Sequence, residues 1–213
     1  MKSLQGSKAK IVVLDYHTGN LNSVRRVFER LGVDVVISSS PSDVESADKI
    51  VMPGVGHFDT AMKSLEELDL IDALNHAVLV RRRPILGICL GIEVMARRSE
   101  EGMKDGLGWI EGRMIRFQIL DQSHFKVPHM GWNTLSKRCA SQLLDGVDSD
   151  AEFYFAHGYH LALEDPSDMR AETEYESAFT SAIERGNIFG VQFHPEKSHD
   201  AGMRILRNFV DLS

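Results

Sequence analysis

The first hydrophobic run of the chain is "KIVVLD", Lys10 to Asp15, short, unbroken and rich in β-branched residues. A strand covered on both faces reads this way, because neither set of alternate positions meets water. After a turn at Gly19-Asn20, "NSVRRVFERLG" places Val24, Val27, Phe28 and Leu31 at helical spacing, with Gly32 as the stop. "VDVVIS" predicts a second strand and "KIVMPG", Lys49 to Gly54, a third that Pro53-Gly54 breaks. Helical spacing then runs from about Phe58 to Arg82. "PILGI" predicts the next strand, and a helix follows at once from Leu90 to about Arg98. Strands and helices alternating at this spacing predict βαβ units, hence an α/β fold with a mostly parallel sheet and helices on both faces.

From about Leu107 the pattern changes. "GWIEGRMIRFQI", "EFYFAHGYHLAL", "ETEYESAFTSAIERG" and "NIFGVQFHPE" are aromatic and β-branched with few helix signals, which predicts added antiparallel strands in the C-terminal half. "AGMRILRNFVDLS" closes the chain, with Met203, Leu206, Phe209 and Val210 on one helical face. No linker, repeat or low-complexity tract interrupts the pattern. The expectation is a single domain over residues 1–213, with residues 1 to about 9 as a flexible polar extension.

Composition narrows the function classes. With 213 residues, 43% of them hydrophobic, the chain is able to bury a sizeable core. The net charge of -7 is dispersed, which argues against a general nucleic-acid binder. The one basic run, Arg81-Arg82-Arg83, reads as a solvated helix end. The start of the chain lacks the apolar core of a signal peptide, and no apolar run is long enough to span a membrane. Cys89 and Cys139 are the only cysteines, so neither a disulfide framework nor a CxxC metal or redox site is implied. A reducing cytoplasm fits, and there Cys89 stays a thiol.

Cys89 stands at the centre of the chemistry. "GICLG", Gly87 to Gly91, is a G-x-C-x-G turn between a strand and a helix, the thiol form of a nucleophile elbow. A side chain at Gly87 or Gly91 would collide with neighbouring backbone, and the strained Cys89 would point its sulfur out of the turn. The N-terminus of the next helix favours a thiolate. "GVQFHPEKS" supplies a base: with Val191 to Phe193 as a strand, His194 stands at its end, and Glu196 reaches back across Pro195 to hold the imidazole. "MPGVGHF", Met52 to Phe58, follows the third strand. Its N–H groups near Gly54 to Gly56, with that of Leu90, suit a developing oxyanion. Taken alone, that segment reads better as an ordinary strand-to-helix loop.

In this order the three segments resemble those of the class I, or triad-type, glutamine amidotransferases, whose fold is flavodoxin-like. Within them the chain looks most like the glutaminase subunits of imidazole glycerol phosphate synthase, the histidine-biosynthesis enzyme. "LDYHTGNLNSV", "MPGVGHFDTAM", "PILGICLGIEVM", "VPHMGWN", "YFAHGYH" and "VQFHPEKS" each resemble a family segment, almost throughout from Ile11 onward. The resemblance implies Cys89 as nucleophile, His194 as base and acid, and Glu196 as its orienting partner. It implies an oxyanion hole at Val55 and Leu90. Glutamine is then held by Gly54, Gly56, Glu93, Glu101 and the backbone of His157, Gly158 and Tyr159. It also implies a (β/α)8-barrel cyclase partner in a heterodimer, docked near Asn20, His129, Trp132 and Lys197, that receives the ammonia through its barrel. In such pairs the cyclase turns a formimino-carboxamide ribonucleotide into imidazole glycerol phosphate and an aminoimidazole carboxamide ribonucleotide. The family's Val55 peptide can turn the wrong way until the partner is engaged, and glycine on both sides makes that flip cheap. Neither cofactor nor metal is implied.

Several positions depart from the family pattern. His17 stands in a turn where glycine is favoured, Gly158 replaces serine or threonine, His160 replaces a commonly aromatic residue, and Ile92 replaces methionine. Glu93 stands where the family has glutamine. An ionised carboxylate there offers only acceptors, repels a nearby substrate carboxylate and opposes thiolate formation at Cys89. In the alternative, Glu93 turns away and pairs with Arg97 at i+4 on the same helix face. His17, His157 and His160 do not have metal-ligand spacing. Three other readings stay open: a paralogous subunit feeding ammonia to a cell-surface sugar synthase, a weakly active regulatory module, and a cysteine hydrolase of peptides or esters.

Overall fold

A computed structural model of the chain describes residues 9–19 and 21–212. Most of the expected N-terminal extension, and Asn20, lie outside the described residues. The first half runs β1 (Ile11–Leu14), α1 (Leu21–Arg30), β2 (Val35–Ser38), α2 (Pro41–Ser46), β3 (Lys49–Gly54), α3 (Phe58–Glu67), α4 (Leu70–Asn75), β4 (Ile85–Cys89), α5 (Leu90–Met95) and β5 (Ala96–Ser99). The second half runs β6 (Ile110–Arg116), β7 (His129–Thr134), β8 (Ser136–Lys137), β9 (Glu152–His157), β10 (Tyr159–Leu163), β11 (Met169–Tyr175), β12 (Ser177–Arg185), β13 (Ile188–Val191) and α6 (His199–Asp211).

The strands pair in the order β2-β1-β3-β4-β13-β12-β10-β6-β5. The first five are parallel and wound as in flavodoxin, whose fold places ligands beyond the carboxyl ends of the strands. β12, β10 and β6 continue the sheet antiparallel, and β11 pairs on β12. β7 and β9 form a separate antiparallel ribbon. The two halves therefore follow the two hydrophobic patterns. Along β1, Val12 and Leu14 join the core under α2 to α5, while Ile11 and Val13 join the core under α1 and α6. Both faces of the parallel strands are covered, which is why their sequences do not alternate.

Three boundaries differ from the sequence pattern. The single helix expected over Phe58 to Arg82 breaks at Asp69, whose φ of 54° is left-handed. The helix after Cys89 stops at Met95 rather than near Arg98, and the chain passes directly into β5. β13 ends at Val191, so Gln192 and Phe193 are not strand. The last helix centres its buried face on Ile205, Leu206 and Phe209, with Met203 and Val210 at the margin.

Lys49, at the start of β3, is buried and serves the far end of α6. Its Nζ donates to the carbonyls of Phe209 at 3.3 Å and Val210 at 2.5 Å, and also to that of Leu212. These are carbonyls that a helix C-terminus leaves without partners, and a cation there also opposes the negative end of the helix dipole. Burial pulls the ammonium's pKa down, while Asp211 and Asp48 pull it up. Lys49→Met should lower stability by roughly 1–3 kcal/mol, the range for stripping the partner from buried polar groups. Urea unfolding measures this, and an unchanged midpoint would show that the contact contributes nothing.

Candidate active site

Cys89 is the last residue of β4, and α5 begins at the next residue. Its φ of 53° and ψ of -112° are unusual for a residue with a side chain, a strain of about 1–3 kcal/mol that tight packing must hold. The packing is visible at Gly91, where an added Cβ would lie 1.8 Å from the carbonyl oxygen of Met52 on β3. At Gly87 it would lie 2.8 Å from the carbonyl carbon of Gly91. The elbow thus presses β3, β4 and α5 together and leaves the sulfur beyond the strand ends.

The Cys89 Sγ lies 4.0 Å from the carbonyl oxygen of Ala156 on β9. The same strand positions His194. The N–H of His194 donates to the Tyr154 carbonyl at 2.8 Å, and Ser198 Oγ joins the Tyr154 N–H at 3.0 Å to the His194 carbonyl at 2.6 Å. Two residues of β9 thereby set Cys89 against the loop after β13. His194 Nδ1 lies 2.8 Å from Glu196 Oε1, both groups nearly free of water contact. With Nδ1–H donating a hydrogen bond to the carboxylate, Nε2 is the ring nitrogen left to face the cysteine side of the site. Among the described residues Nε2 has no hydrogen-bond partner. Such contacts commonly tighten only when substrate is bound.

A cavity of about 130 Å³ opens beside the sulfur, lined by Val55, Gly56, Cys89, Leu90, Glu93, Glu101, Pro128, Ala156, His157, Gly158 and Tyr159. Gly54 is not on its wall. It is buried behind, where a Cβ would lie 2.3 Å from the hydroxyl of Tyr16. Val55 is 44% exposed, and Gly56 takes a φ of 118° that favours glycine. Glu101 accepts the N–H of Phe58 at 2.7 Å, at the start of α3. Asp59 on that helix accepts the N–H groups of Met103 and Lys104, each at 3.0 Å. The loop that carries Glu101 is therefore tied to α3 from both sides, and the two N–H donors lower the Asp59 pKa.

Glu93 faces this site. It is 5% exposed, and Gln192 Nε2 donates to its Oε1 at 3.1 Å. The pairing with Arg97 does not form, because α5 ends at Met95 and Arg97 lies on β5, engaged with Glu111 and Glu164. Burial pushes the Glu93 pKa up to about 8, Glu101 adds to the rise, and the Gln192 contact opposes it. The carboxyl is thus protonated at neutral pH, not ionised as the sequence reading supposed. The Cys89 thiol is also pushed well up, first by burial and then by Glu93 and Glu196, against a smaller opposite pull from the Leu90 N–H. The part due to Glu93 acts only above about pH 8, where that carboxyl is ionised. The helix N-terminus therefore does not hold Cys89 as a thiolate in the ligand-free chain.

The remaining residues divide by depth. His129, expected at a docking surface, is buried at 3% exposure between Phe155 and Tyr175. Its strand neighbours Met130 and Trp132 carry large apolar side chains that are exposed. Trp132 stacks flat on His199, and the Lys197 ammonium lies 5.3 Å above the Tyr154 ring. His157 Nδ1 donates to the Tyr159 carbonyl at 2.7 Å, so its Nε2 accepts from His129 Nδ1 at 3.1 Å. Burial lowers the pKa of His157 to about 3 and that of His129 to about 4. His17 has a φ of 63°, the conformation that makes glycine common in such a turn. At Gly158 a Cβ would meet only Val127, at 3.7 Å, so the missing side chain relieves no crowding. Sequence reasoning missed Gln192, Pro128 and Ala156; only Gln192 carried a signal, as a polar residue inside an apolar run.

The family model for class I glutamine amidotransferases matches residues 12–212. The chain belongs to the class I glutamine amidotransferases. The imidazole glycerol phosphate synthase subunit HisH 2 of Pseudomonas aeruginosa is 44% identical over 95% of this chain and 99% of its own length. A subunit of the same name from Methanococcus maripaludis is 42% identical over 94% and 98%. HisH 1 of Campylobacter jejuni is 42% identical over 95% and 100%. Among solved structures, a glutamine amidotransferase matches with a TM-score of 0.73 at 18% identity over 94% of this chain and 97% of its own. PurLQS from Thermotoga maritima matches with 0.72 at 14% over 96% and 99%. Both bear on the fold alone, and they share this α/β architecture.

The Glu93 environment predicts a pH signature in stability. The folded pKa, about 8, lies above the ordinary 4.5, so between these values the folded state keeps a proton that the unfolded chain has released. Stability therefore falls as pH rises through that window. Glu93→Gln removes the slope, and its advantage over the parent should grow by up to about 1.4 kcal/mol per pH unit. Urea unfolding at several pH values checks this; parallel curves would mean Glu93 is not protonated in the fold.

Proposed function

We propose that the chain is the glutaminase subunit of an imidazole glycerol phosphate synthase, working with a (β/α)8-barrel cyclase. The observation that carries the mechanism is the buried His194–Glu196 pair, whose carboxyl acts on the thiol of a cysteine held at a strained elbow. The family and the relatives named above support the assignment to this pathway.

L-Glutamine enters the cavity with its side-chain carbonyl carbon toward Cys89 Sγ. Because burial keeps the thiol protonated, sulfur attacks as its proton passes to His194 Nε2. Glu196 steadies the imidazolium through Nδ1. The developing oxyanion is met by the N–H of Leu90 and one from the Gly54–Gly56 loop. His194 returns the proton to the leaving nitrogen, ammonia departs, and water hydrolyses the thioester to glutamate. Met130, Trp132, Lys197 and His199 form the exposed surface around β7 and β9, and Trp132 and Lys197 keep their proposed place at the cyclase contact.

Cys89→Ala should abolish glutamine-dependent formation of imidazole glycerol phosphate by the paired subunits but spare synthesis fed with ammonium salt. His194→Ala should be as severe, since members of one catalytic unit do not add independently. Glu196→Gln should be milder. Glutaminase activity retained by Cys89→Ala would refute the assignment.

The same loop predicts gating. Val55 is exposed between glycines, so the second oxyanion donor is free to be misaligned in the isolated chain. Addition of the ligand-bound cyclase should raise glutamine turnover by about 10² or more, the usual worth of one such donor. A free subunit already at the full rate would show that the hole needs no partner.

A further inference from the structure

Glu93 is buried on the cavity wall, with no cation paired to it among the described residues and only the Gln192 amide to favour its charge. Gln192, after β13, donates to it; Tyr16, after β1, Cys89, at the end of β4, and Glu101, in the loop after β5, are the titratable groups that act on it or feel it. All three of these become anions or stay neutral, and Arg97, the nearest cation in sequence, is engaged elsewhere. The Gln192 N–H occupies Oε1, so the proton of the acid resides on Oε2. A carboxylic acid held this way carries one donor and spare acceptor capacity, as a carboxamide carries both.

We propose that Glu93 is a specificity-determining residue that recognises glutamine as a neutral acid, its Oε2–H donating to an acceptor oxygen of the substrate. The Gln192 side chain aligns it, and an acid O–H given to a carboxylate makes a short, strong hydrogen bond. Loss of the proton reverses the interaction: the donor disappears, and two carboxylate oxygens then face the acceptor. Substrate recognition in this chain is therefore sensitive to alkali through Glu93, in the range where that carboxyl titrates, about pH 8. The inference rests on the cavity being the glutamine pocket.

The test uses the full-length chain with Cys89→Ser, which removes both turnover and thiol titration, and compares it with the same chain also carrying Glu93→Gln. L-Glutamine is titrated calorimetrically between about pH 7 and about pH 9, and melting temperatures confirm that both proteins are folded. One unit above its pKa an acid keeps roughly a tenth of its protons, so the Glu93 protein should bind about tenfold more weakly at the higher pH. That loss is measured relative to the Glu93→Gln protein, which carries any titration of glutamine itself. Equal pH dependence in the two proteins leaves the pocket reading intact and overturns the neutral-acid reading. Tighter binding by Glu93→Gln already at about pH 7 overturns it too, since the acid would then be a handicap. Absence of glutamine binding to either protein at any pH overturns the pocket reading and this inference with it.

Discussion

The active site depends on the closeness of Gly91 to the carbonyl of Met52. No loop separates β4 from α5, so the first turn of the helix bears directly on β3, and a methyl group at Gly91 would lie 1.8 Å from that oxygen. The contact holds Cys89 in a conformation that it would not otherwise take. It also fixes the helix on which Glu93 faces the cavity. Tyr16 fills the space beside Gly54 and so supports the turn of β3 into the Val55 loop from the other side. Geometry that is costly locally is maintained because three main-chain segments meet with no room to relax.

A second constraint is dryness. Cys89, Glu93, His129 and His157 are all buried, and burial dominates the pKa of each, pushing the two acids up and the two imidazoles down. The resting site thus gathers these neutral groups beside the carboxyls of Glu101 and Glu196, each held by a hydrogen bond. The chain of hydrogen bonds from Tyr159 through His157 to His129 fixes both tautomers and continues this neutrality beneath the ribbon of β7 and β9.

The parallel half of the fold was legible because strands such as "KIVVLD" are apolar at every position, a pattern that only two covered faces require. The elbow was legible for a similar reason: its two glycines mark backbone contacts no other residue permits. What escaped was set by contacts distant in sequence. Asp69 carries no sign that its backbone will turn left-handed and split a helix, and nothing in "LGIEVMARRS" marks the change to β5 after Met95. His129 and Trp132 are three residues apart in one motif, but the pleat of β7 buries one and exposes the other. Glu93 shows the limit most plainly. Its identity is written in the chain, while its protonation follows from burial, with Glu101 adding to the rise and Gln192 opposing it, all of them set only by folding.

Lys49 and Gly54 mark opposite ends of β3, which separates them by roughly 17–20 Å. α6 runs the same depth in reverse, from His199 beside Ser198 and the His194 loop to the carbonyls bound by Lys49. Any polypeptide joined after Leu212 accordingly emerges on the side of the sheet away from the sulfur. An affinity handle, a fluorescent domain or a surface tether attached there leaves the mouth of the cavity and the Trp132 surface open. The opposite end of the molecule is the natural place to hold this chain while the cavity face stays open to solution.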